Sequence, residues 1–249
     1  MEYLGISYDI KNKPALDGGF IPFAPWRTAY LAEAHRPVRI AVERQDGQVS
    51  VFDTRLRSVV YQDANLRFLE RTVKLLLWSV GGWRVYISGC NELAEDLRSI
   101  YRRGGDREFD VDFMETVFER PFQLEAIAEV DFPKERSSAR RIGGCRIGFD
   151  AGGSDRKVSA VIDGETVYSE EVVWHPKTQT DPEYHYQGIL DAFRTAASKM
   201  PRVDGIGVSS AGVFIGNAPM VSSLFIKVPQ DKRGPIKTIY DRAAAAIGN

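Results

Sequence analysis

The sequence predicts an α/β protein built from two units, and three observations carry this prediction. Strand-like and helix-like hydrophobic patterns alternate along most of the 249 residues. The pattern is interrupted by the charged, aperiodic segment from Asp131 to Gly144, and it starts afresh after that segment. Each side is long enough to bury a core of its own. We therefore expect one domain over residues 1–140, of unknown role, and a second over residues 141–249.

The N-terminal part is predicted to begin irregularly and then to alternate strands with helices. Four prolines and scattered aromatic residues indicate irregular structure over the first forty residues. An Asp-Gly pair between two short apolar runs is typical of a hairpin, and apolar residues at helical spacing follow it. The patterns predict strands at 38–43 and 49–53, a helix at 63–80, a strand at 83–88, helices at 92–103 and 112–119, and a strand at 122–130.

The C-terminal part repeats the order of hairpin, helix and strand. The patterns predict strands at 145–149, 158–162 and 166–173, a helix at 181–200, a strand at 203–208, a loop of small residues, and an alanine-rich helix at 237–247. Thr180, Asp181, Pro182 and Glu183 could be taken with His185 for a metal site. Because Thr-x-x-Glu with an early proline is a helix-capping signature, we interpret the segment as a helix start.

The composition favours an ordinary globular protein. Hydrophobic residues make up 43% and charged residues 27% of the chain, with a formal net charge of −1. Such a balance provides no general attraction to nucleic acid or to anionic membranes. The apolar run from Leu75 to Trp78, like every other apolar run in the sequence, is far too short to span a bilayer. With two cysteines in dissimilar contexts and no signal peptide, we expect a reduced, cytoplasmic protein that binds neither nucleic acid nor membrane.

The most informative stretch is a glycine turn between two strands. An apolar strand ends at Asp150, Gly152 and Gly153 follow with Ser154, and the next strand starts almost at once. Backbone amides in such a turn can approach a phosphate closely, and the carboxylate can reach a magnesium ion. A Walker P-loop is excluded, because Ser154 stands where that motif needs lysine and a strand follows instead of a helix. The chain also has no Gly-x-Gly-x-x-Gly opening a helix, which argues against a dinucleotide site.

The segment Gly148–Ser154, with the turn at Asp163-Gly164, resembles the first phosphate motif of the actin-like ATPase and sugar-kinase superfamily. It is most similar to the ROK family (repressors, open reading frames and kinases), whose pattern is roughly Gly-Ile-Asp-Ile-Gly-Gly-Thr-Lys. The resemblance covers about residues 145–249. It implies a truncated ribonuclease H-like (actin-like ATPase) lobe in the C-terminal half, with a smaller α/β domain in the N-terminal half. It also implies ATP and Mg²⁺ as cofactors.

By this resemblance a phosphate site is expected at the glycine turn. It consists of Asp150, Gly152, Gly153, Ser154 and Lys157. The carboxylate of Asp150 would hold magnesium through water, and the glycines and Ser154 would cradle the phosphates. Asp155, Arg156 and Lys157 depart from the family pattern, which has one basic residue and then small apolar ones. Whether Arg156 or Lys157 faces the phosphates is therefore left open.

A second match lies after the later strand. The sequence from Asp204 to Val213 places a glycine-flanked strand before tiny residues. In ROK kinases the corresponding stretch reads roughly Gly-Ile-Gly-Val-Pro-Gly-Pro-Val and borders the sugar. The resemblance thus implies a substrate loop formed by Ser209, Ser210 and Gly212, although Ser-Ser-Ala-Gly replaces Pro-Gly-Pro. A plain connection between a strand and a helix is the alternative interpretation.

The resemblance implies the N-terminal part of a ROK-like, ATP-dependent sugar kinase homologue that binds nucleotide phosphates and a sugar. The catalytic aspartate of that family follows a later strand and is not found in these 249 residues, so we expect no phosphoryl transfer from this stretch alone. Expected partners are a nucleotide, a sugar, the remainder of a longer polypeptide and a second copy in a homodimer. The alternative function is a non-catalytic sugar- or nucleotide-sensing protein. A DNA-binding repressor is disfavoured, since no helix-turn-helix is evident near the N-terminus.

Overall fold

A computed structural model describes residues 1–132 and 143–248. The chain divides into two compact units, Met1–Arg136 and Ser137–Asn249, which are described separately. The N-terminal unit is the longer of the two. The predicted linker at 131–144 falls mostly outside the described residues. The protein is a mixed α/β protein with several sheets.

The N-terminal unit is built on a four-stranded mixed sheet. Its elements are β1 (Glu2–Tyr3), β2 (Ile6–Ser7), α1 (Phe23–Ala32), β3 (Arg36–Glu43), β4 (Val49–Leu56), α2 (Gln62–Ser79), β5 (Arg84–Ser88), α3 (Ala94–Ile100), α4 (Glu108–Phe118) and β6 (Gln123–Ala126). The strand order is β4-β3-β5-β6, in which β3 is antiparallel to both neighbours and β5 is parallel to β6. Asp46 and Gly47 form the predicted hairpin turn with φ values of 55° and 71°.

Helix α1 corrects the prediction of irregular structure over the first forty residues. Pro25 lies in its first turn, where a proline costs no hydrogen bond, so the proline content was a misleading signal. Trp26 and Tyr30 are fully buried on this helix, and the Trp26 indole donates a 3.0 Å hydrogen bond to the Tyr3 carbonyl. Burial of these two rings stabilises a helix that the local sequence pattern does not predict.

The C-terminal unit contains a second four-stranded sheet. Its elements are β7 (Cys145–Ala151), β8 (Asp155–Ile162), β9 (Glu165–Val173), α5 (Pro182–Ala197), β10 (Gly205–Ser210), β11 (Val213–Ile215), β12 (Ala218–Val221) and α6 (Ile239–Ala245). The strand order is β10-β7-β8-β9. The first three strands of the unit form an antiparallel meander, and β10 returns through α5 to pair in parallel with β7.

One face of this sheet is packed against the two helices. Ile147, Phe149 and Ala151 alternate on the buried face of β7, and Phe149 meets Phe193 of α5 edge to face at 5.4 Å. Because side chains alternate along a strand, the intervening Asp150 lies on the opposite face and is exposed. We call that opposite side of the β10-β7-β8-β9 sheet the open face.

Three details of this unit differ from the sequence prediction or refine it. Ser209 and Ser210 belong to β10, whereas the sequence analysis placed them in a loop. The hairpin of β11 and β12 was not predicted. The capping interpretation of the α5 start is confirmed, but the cap is Asp181 and not Thr180: its carboxylate accepts a 3.0 Å hydrogen bond from the Glu183 amide.

Within residues 1–132 and 143–248, no helix has both the length and the hydrophobicity that crossing a membrane would require.

Candidate functional site

The turn between β7 and β8 is held in place by Trp174, which lies just after β9. Its indole Nε1 donates hydrogen bonds of 2.8 Å to the Gly152 carbonyl and 3.1 Å to the Asp155 carbonyl. Its backbone amide donates to the Ser154 carbonyl at 3.1 Å. A Cβ built on Gly152 would lie 2.5 Å from the Asp155 carbonyl oxygen, so only glycine fits there. Three carbonyls of the turn are thus bonded to one residue.

The amides of the turn are left available. Among the residues that the structure describes, no acceptor is bonded to the amide of Gly153 or of Ser154. Adjacent unpaired amides next to exposed backbone form a concavity with partial positive charge, which suits an anion. The geometry at this turn is therefore compatible with the phosphate cradle expected from the sequence.

Asp150 and Ser209 lie side by side on the open face. Asp150 of β7 is paired in register with Lys157 of β8 and with Ser209 of β10, and Lys157 is paired in turn with Glu171 of β9. A shallow depression of about 550 Å³ covers this part of the sheet, with Asp150, Lys157 and Ser209 in its lining. The structure thus brings Ser209 of the predicted substrate loop next to Asp150 and Lys157 of the predicted phosphate site. An exposed carboxylate there can reach a hydrated magnesium ion.

Of the two cations left open by the sequence, Lys157 lies on the face of Asp150. Its ammonium is 2.9 Å from the Asp155 carboxylate and 3.9 Å from that of Glu171. The hydrogen bond that the Lys157 ammonium donates to the Asp155 carboxylate raises the pKa of Lys157 and lowers the pKa of Asp155. Arg156 lies on the helix side, where its Nη1 is buried and has no hydrogen-bond partner among the described residues. The charge of Lys157 is therefore already balanced, and Arg156 does not share the face of Asp150.

A third cation, Lys177, lies over the glycine turn and was missed in the sequence. A Cβ built on Gly153 would be 2.4 Å from Cε and 2.5 Å from Nζ of Lys177, which shows how closely the lysine covers this glycine. Lys177 belongs to the short 3₁₀ turn Pro176–Thr178, which follows β9. No local pattern marks it, because its proximity to Gly153 depends on the antiparallel return of β9 along β8.

Ser210 borders a different space, the cleft along the outer edge of β10, whereas Gly212 lies between β10 and β11 and does not contribute to the lining of that cleft. This cleft measures about 790 Å³, and Ser209, Ser210, Asn217, Tyr240 and Asp241 contribute to its lining. Ser210 Oγ accepts a 3.3 Å hydrogen bond from the Tyr240 hydroxyl, and the Asn217 amide donates to Asp241 at 3.1 Å. The cleft combines hydroxyl, amide and carboxylate groups with aromatic rings. Ser209 lines both this cleft and the depression beside Asp150.

His185 has a structural position. It is fully buried, and its Nε2 lies 3.0 Å from the carbonyls of Pro176 and Leu224, while Nδ1 lies 3.1 Å from that of Asp181. Backbone carbonyl oxygens thus lie within hydrogen-bond distance of both ring nitrogens. Across the described residues, no group of three or more His, Cys, Asp or Glu side chains could hold a metal ion. A magnesium ion at Asp150 would accordingly depend on one carboxylate and on ligand oxygens.

The substitution Trp174→Phe tests whether the indole nitrogen holds the turn. Phenylalanine keeps most of the packing but removes two hydrogen bonds, so we expect a loss of about 1–2 kcal/mol in the free energy of unfolding. Amide hydrogen exchange at residues 152–155 should become faster. The matched control is Trp83→Phe, which removes an indole bond to the Arg44 carbonyl in the other unit. Faster exchange of the turn in the control, or unchanged exchange in Trp174→Phe, would contradict this role.

No protein-family profile matches the sequence, and no curated protein matches it either. Among solved structures, the chain is similar to a proposed N-acetylmannosamine kinase from Listeria monocytogenes, with 18% identity and a TM-score of 0.30 over 42% of this chain and 32% of that one. An inorganic polyphosphate/ATP-glucomannokinase from Arthrobacter gives 18% identity and a TM-score of 0.31 over 42% of this chain and 40% of that one.

A PPX-GPPA enzyme from Aquifex aeolicus gives 12% identity and a TM-score of 0.23 over 85% of this chain and 87% of that one. The matched segment thus spans about a third of the first kinase and two fifths of the second.

Proposed function

We propose that the C-terminal unit is the phosphate-binding lobe of a ROK-like, ATP-dependent sugar kinase homologue. In this proposal the Gly152–Ser154 turn binds nucleotide phosphates, and Asp150 holds a magnesium ion through water. The single observation that supports it best is the arrangement at the turn. Trp174 engages the carbonyls, and the amides of Gly153 and Ser154 have no acceptor among the described residues. Exposed Asp150 lies on the strand that leads into this turn.

The residues present fit a magnesium nucleotide. Magnesium keeps several waters and commonly takes one or two carboxylates together with phosphate oxygens, which a lone exposed aspartate can satisfy. When bound, the ion would neutralise phosphate charge. The chain itself contributes amides that orient the phosphates and a carboxylate that positions the ion. The unit would thus bind and align a nucleotide.

The second ligand is proposed to be a sugar. Ser209 lies beside Asp150, and in this proposal its hydroxyl bonds to a sugar hydroxyl close to the phosphate site. Ser210 is the weaker candidate, because its Oγ already accepts a hydrogen bond from Tyr240. Gly212 contributes backbone shape and no functional group. The proposed sugar site therefore rests on Ser209.

The experiment that tests the nucleotide site is calorimetric titration of the chain with ATP, with and without magnesium. We expect Asp150→Asn to weaken magnesium-ATP binding at least about tenfold, a loss of about 1.4 kcal/mol. Since the carboxylate acts through the ion, the same variant should bind magnesium-free ATP as well as the wild type does, or better. The matched control is Asp191→Asn, on the exposed surface of α5, which removes the same charge away from the turn.

Two outcomes would overturn the proposal. One is the absence of any magnesium-ATP binding by the wild type at millimolar concentrations. The other is equal affinity of wild type and Asp150→Asn for magnesium-ATP, because the carboxylate would then have no part in the site.

A further inference from the structure

We infer that Lys177, outside the motif that predicts the phosphate site, is the cation that binds the phosphates of the ligand at the glycine turn. This inference rests on the proposed function and names the residue that sets the charge of its site. The starting observation is the position of Lys177, whose Cε and Nζ lie within contact distance of Gly153.

Lys177 projects from a firmly held support. The Pro176 carbonyl accepts a hydrogen bond from the buried His185 imidazole, which also bonds to the Leu224 carbonyl. The Thr178 hydroxyl donates to the His175 carbonyl at 3.0 Å, and the His175 amide donates to the Tyr184 hydroxyl at 3.0 Å. Because both flanks of Lys177 are fixed to α5 and its surroundings, the lysine stem starts from a defined place beside the turn. This support also accounts for a buried histidine that has no other evident role.

The positive charge of the Lys177 ammonium is not balanced by a carboxylate of the described residues. Within the described residues no carboxylate oxygen lies within 4 Å of it, whereas Lys157 has two such partners, Asp155 and Glu171. A phosphate approaching the free amides of Gly153 and Ser154 would meet the unbalanced cation and not the balanced one. An unpaired ammonium has no existing ion pair to break when it binds an anion.

The position of Lys177 explains why residue 153 is a glycine. Its φ is not positive, so its backbone conformation does not require glycine. Its missing side chain instead leaves the space that the end of Lys177 occupies. Alanine at this position would push the ammonium away from the turn while leaving the backbone conformation accessible. Gly153→Ala should therefore weaken binding through Lys177.

The test compares Lys177→Met with Lys157→Met in calorimetric titrations with ATP and with inorganic pyrophosphate. We expect Lys177→Met to weaken both ligands about tenfold, as the loss of one charged hydrogen bond predicts, and Lys177→Arg to restore most of the affinity. Lys157→Met should weaken both ligands less than Lys177→Met does, because the charge of Lys157 is already paired with Asp155 and Glu171. A second readout is acetylation by an amine-reactive ester, read by mass spectrometry. Bound ATP should protect Lys177 and leave unchanged the modification rate of Lys199, an exposed lysine just after α5.

The outcomes separate the two proposals. If the wild type binds magnesium-ATP and Asp150→Asn weakens that binding, while Lys177→Met binds normally and Lys177 is not protected, this inference is wrong and the proposed function stands. A larger loss in Lys157→Met than in Lys177→Met would also overturn the inference and leave the proposed function intact. If the wild type binds neither ATP nor pyrophosphate, the phosphate site itself is wrong and this inference fails with it.

Discussion

Replacing Arg107 with methionine is expected to destabilise the N-terminal unit by about 3–5 kcal/mol. The Arg107 guanidinium is hydrogen-bonded to Glu70 of α2 and lies 3.7 Å from Asp110 of α4. The two acidic side chains are only 5% and 3% exposed. Methionine retains the apolar stem but removes the charge, which leaves Glu70 with the half-exposed Arg67 as its remaining cation. An incompletely paired buried carboxylate is among the costliest single changes in a protein.

Denaturant unfolding followed by circular dichroism measures this effect, and Arg103→Met is its control. Arg103 bonds to Glu115 at 2.7 Å, but its side chain is 76% exposed. Water screens such a surface pair, so the control should lose at most about 1 kcal/mol. Equal losses in the two variants would show that burial of Glu70 and Asp110 does not govern the stability of this cluster.

Gly212→Ala is expected to destabilise the C-terminal unit by about 3 kcal/mol or more, because two penalties add. Gly212 has a φ of +141°, which a residue with a side chain rarely adopts. A Cβ built there would lie 2.2 Å from the Val221 carbonyl oxygen and 2.9 Å from Ser222 Cβ, both across the hairpin. Since the obstacle is backbone, it cannot move aside as a flexible side chain would.

The matched control for this prediction is Gly216→Ala in the same hairpin. Gly216 also has a positive φ, of 52°, but a Cβ there would meet no atom within 4 Å. Only the conformational penalty applies, so a loss of about 1 kcal/mol is expected in the same unfolding measurement. If Gly212→Ala retained full stability and lost only ligand binding, the glycine would be part of the substrate site and not a structural requirement of the hairpin.

The central elements of both units could be predicted from local patterns. Strands β3 and β8 and helices α2 and α5 follow directly from the spacing of apolar residues, because periodicity reports which face of an element is buried. Helix α1 could not be predicted, since its stability comes from burying Trp26 and Tyr30 against distant residues. The hairpin of β11 and β12 was missed for a related reason: its strands are too short to show a period.

The candidate site divides in the same way. The glycine turn and Asp150 were visible because they are contiguous in sequence, and their role as a phosphate and magnesium site stays a prediction. Only the register of β8 against β7 decided which of Arg156 and Lys157 lies on the face of Asp150, because that register assigns alternate residues to opposite faces. The pairing of Lys157 with Glu171 could not be predicted either, because Glu171 lies on a third strand, β9.

By itself, the sequence determined the positions of the central strands and helices of both units. It also determined that the Gly152–Ser154 turn combines exposed backbone with the nearby carboxylate of Asp150. Both properties are local, because they depend on neighbours a few positions away. Only the tertiary structure decided that Trp174 holds that turn, that Ser209 lies beside Asp150 and that Lys177 covers Gly153. These contacts join residues from separate strands and turns, and the pairing of the strands, which no local pattern encodes, brings them together.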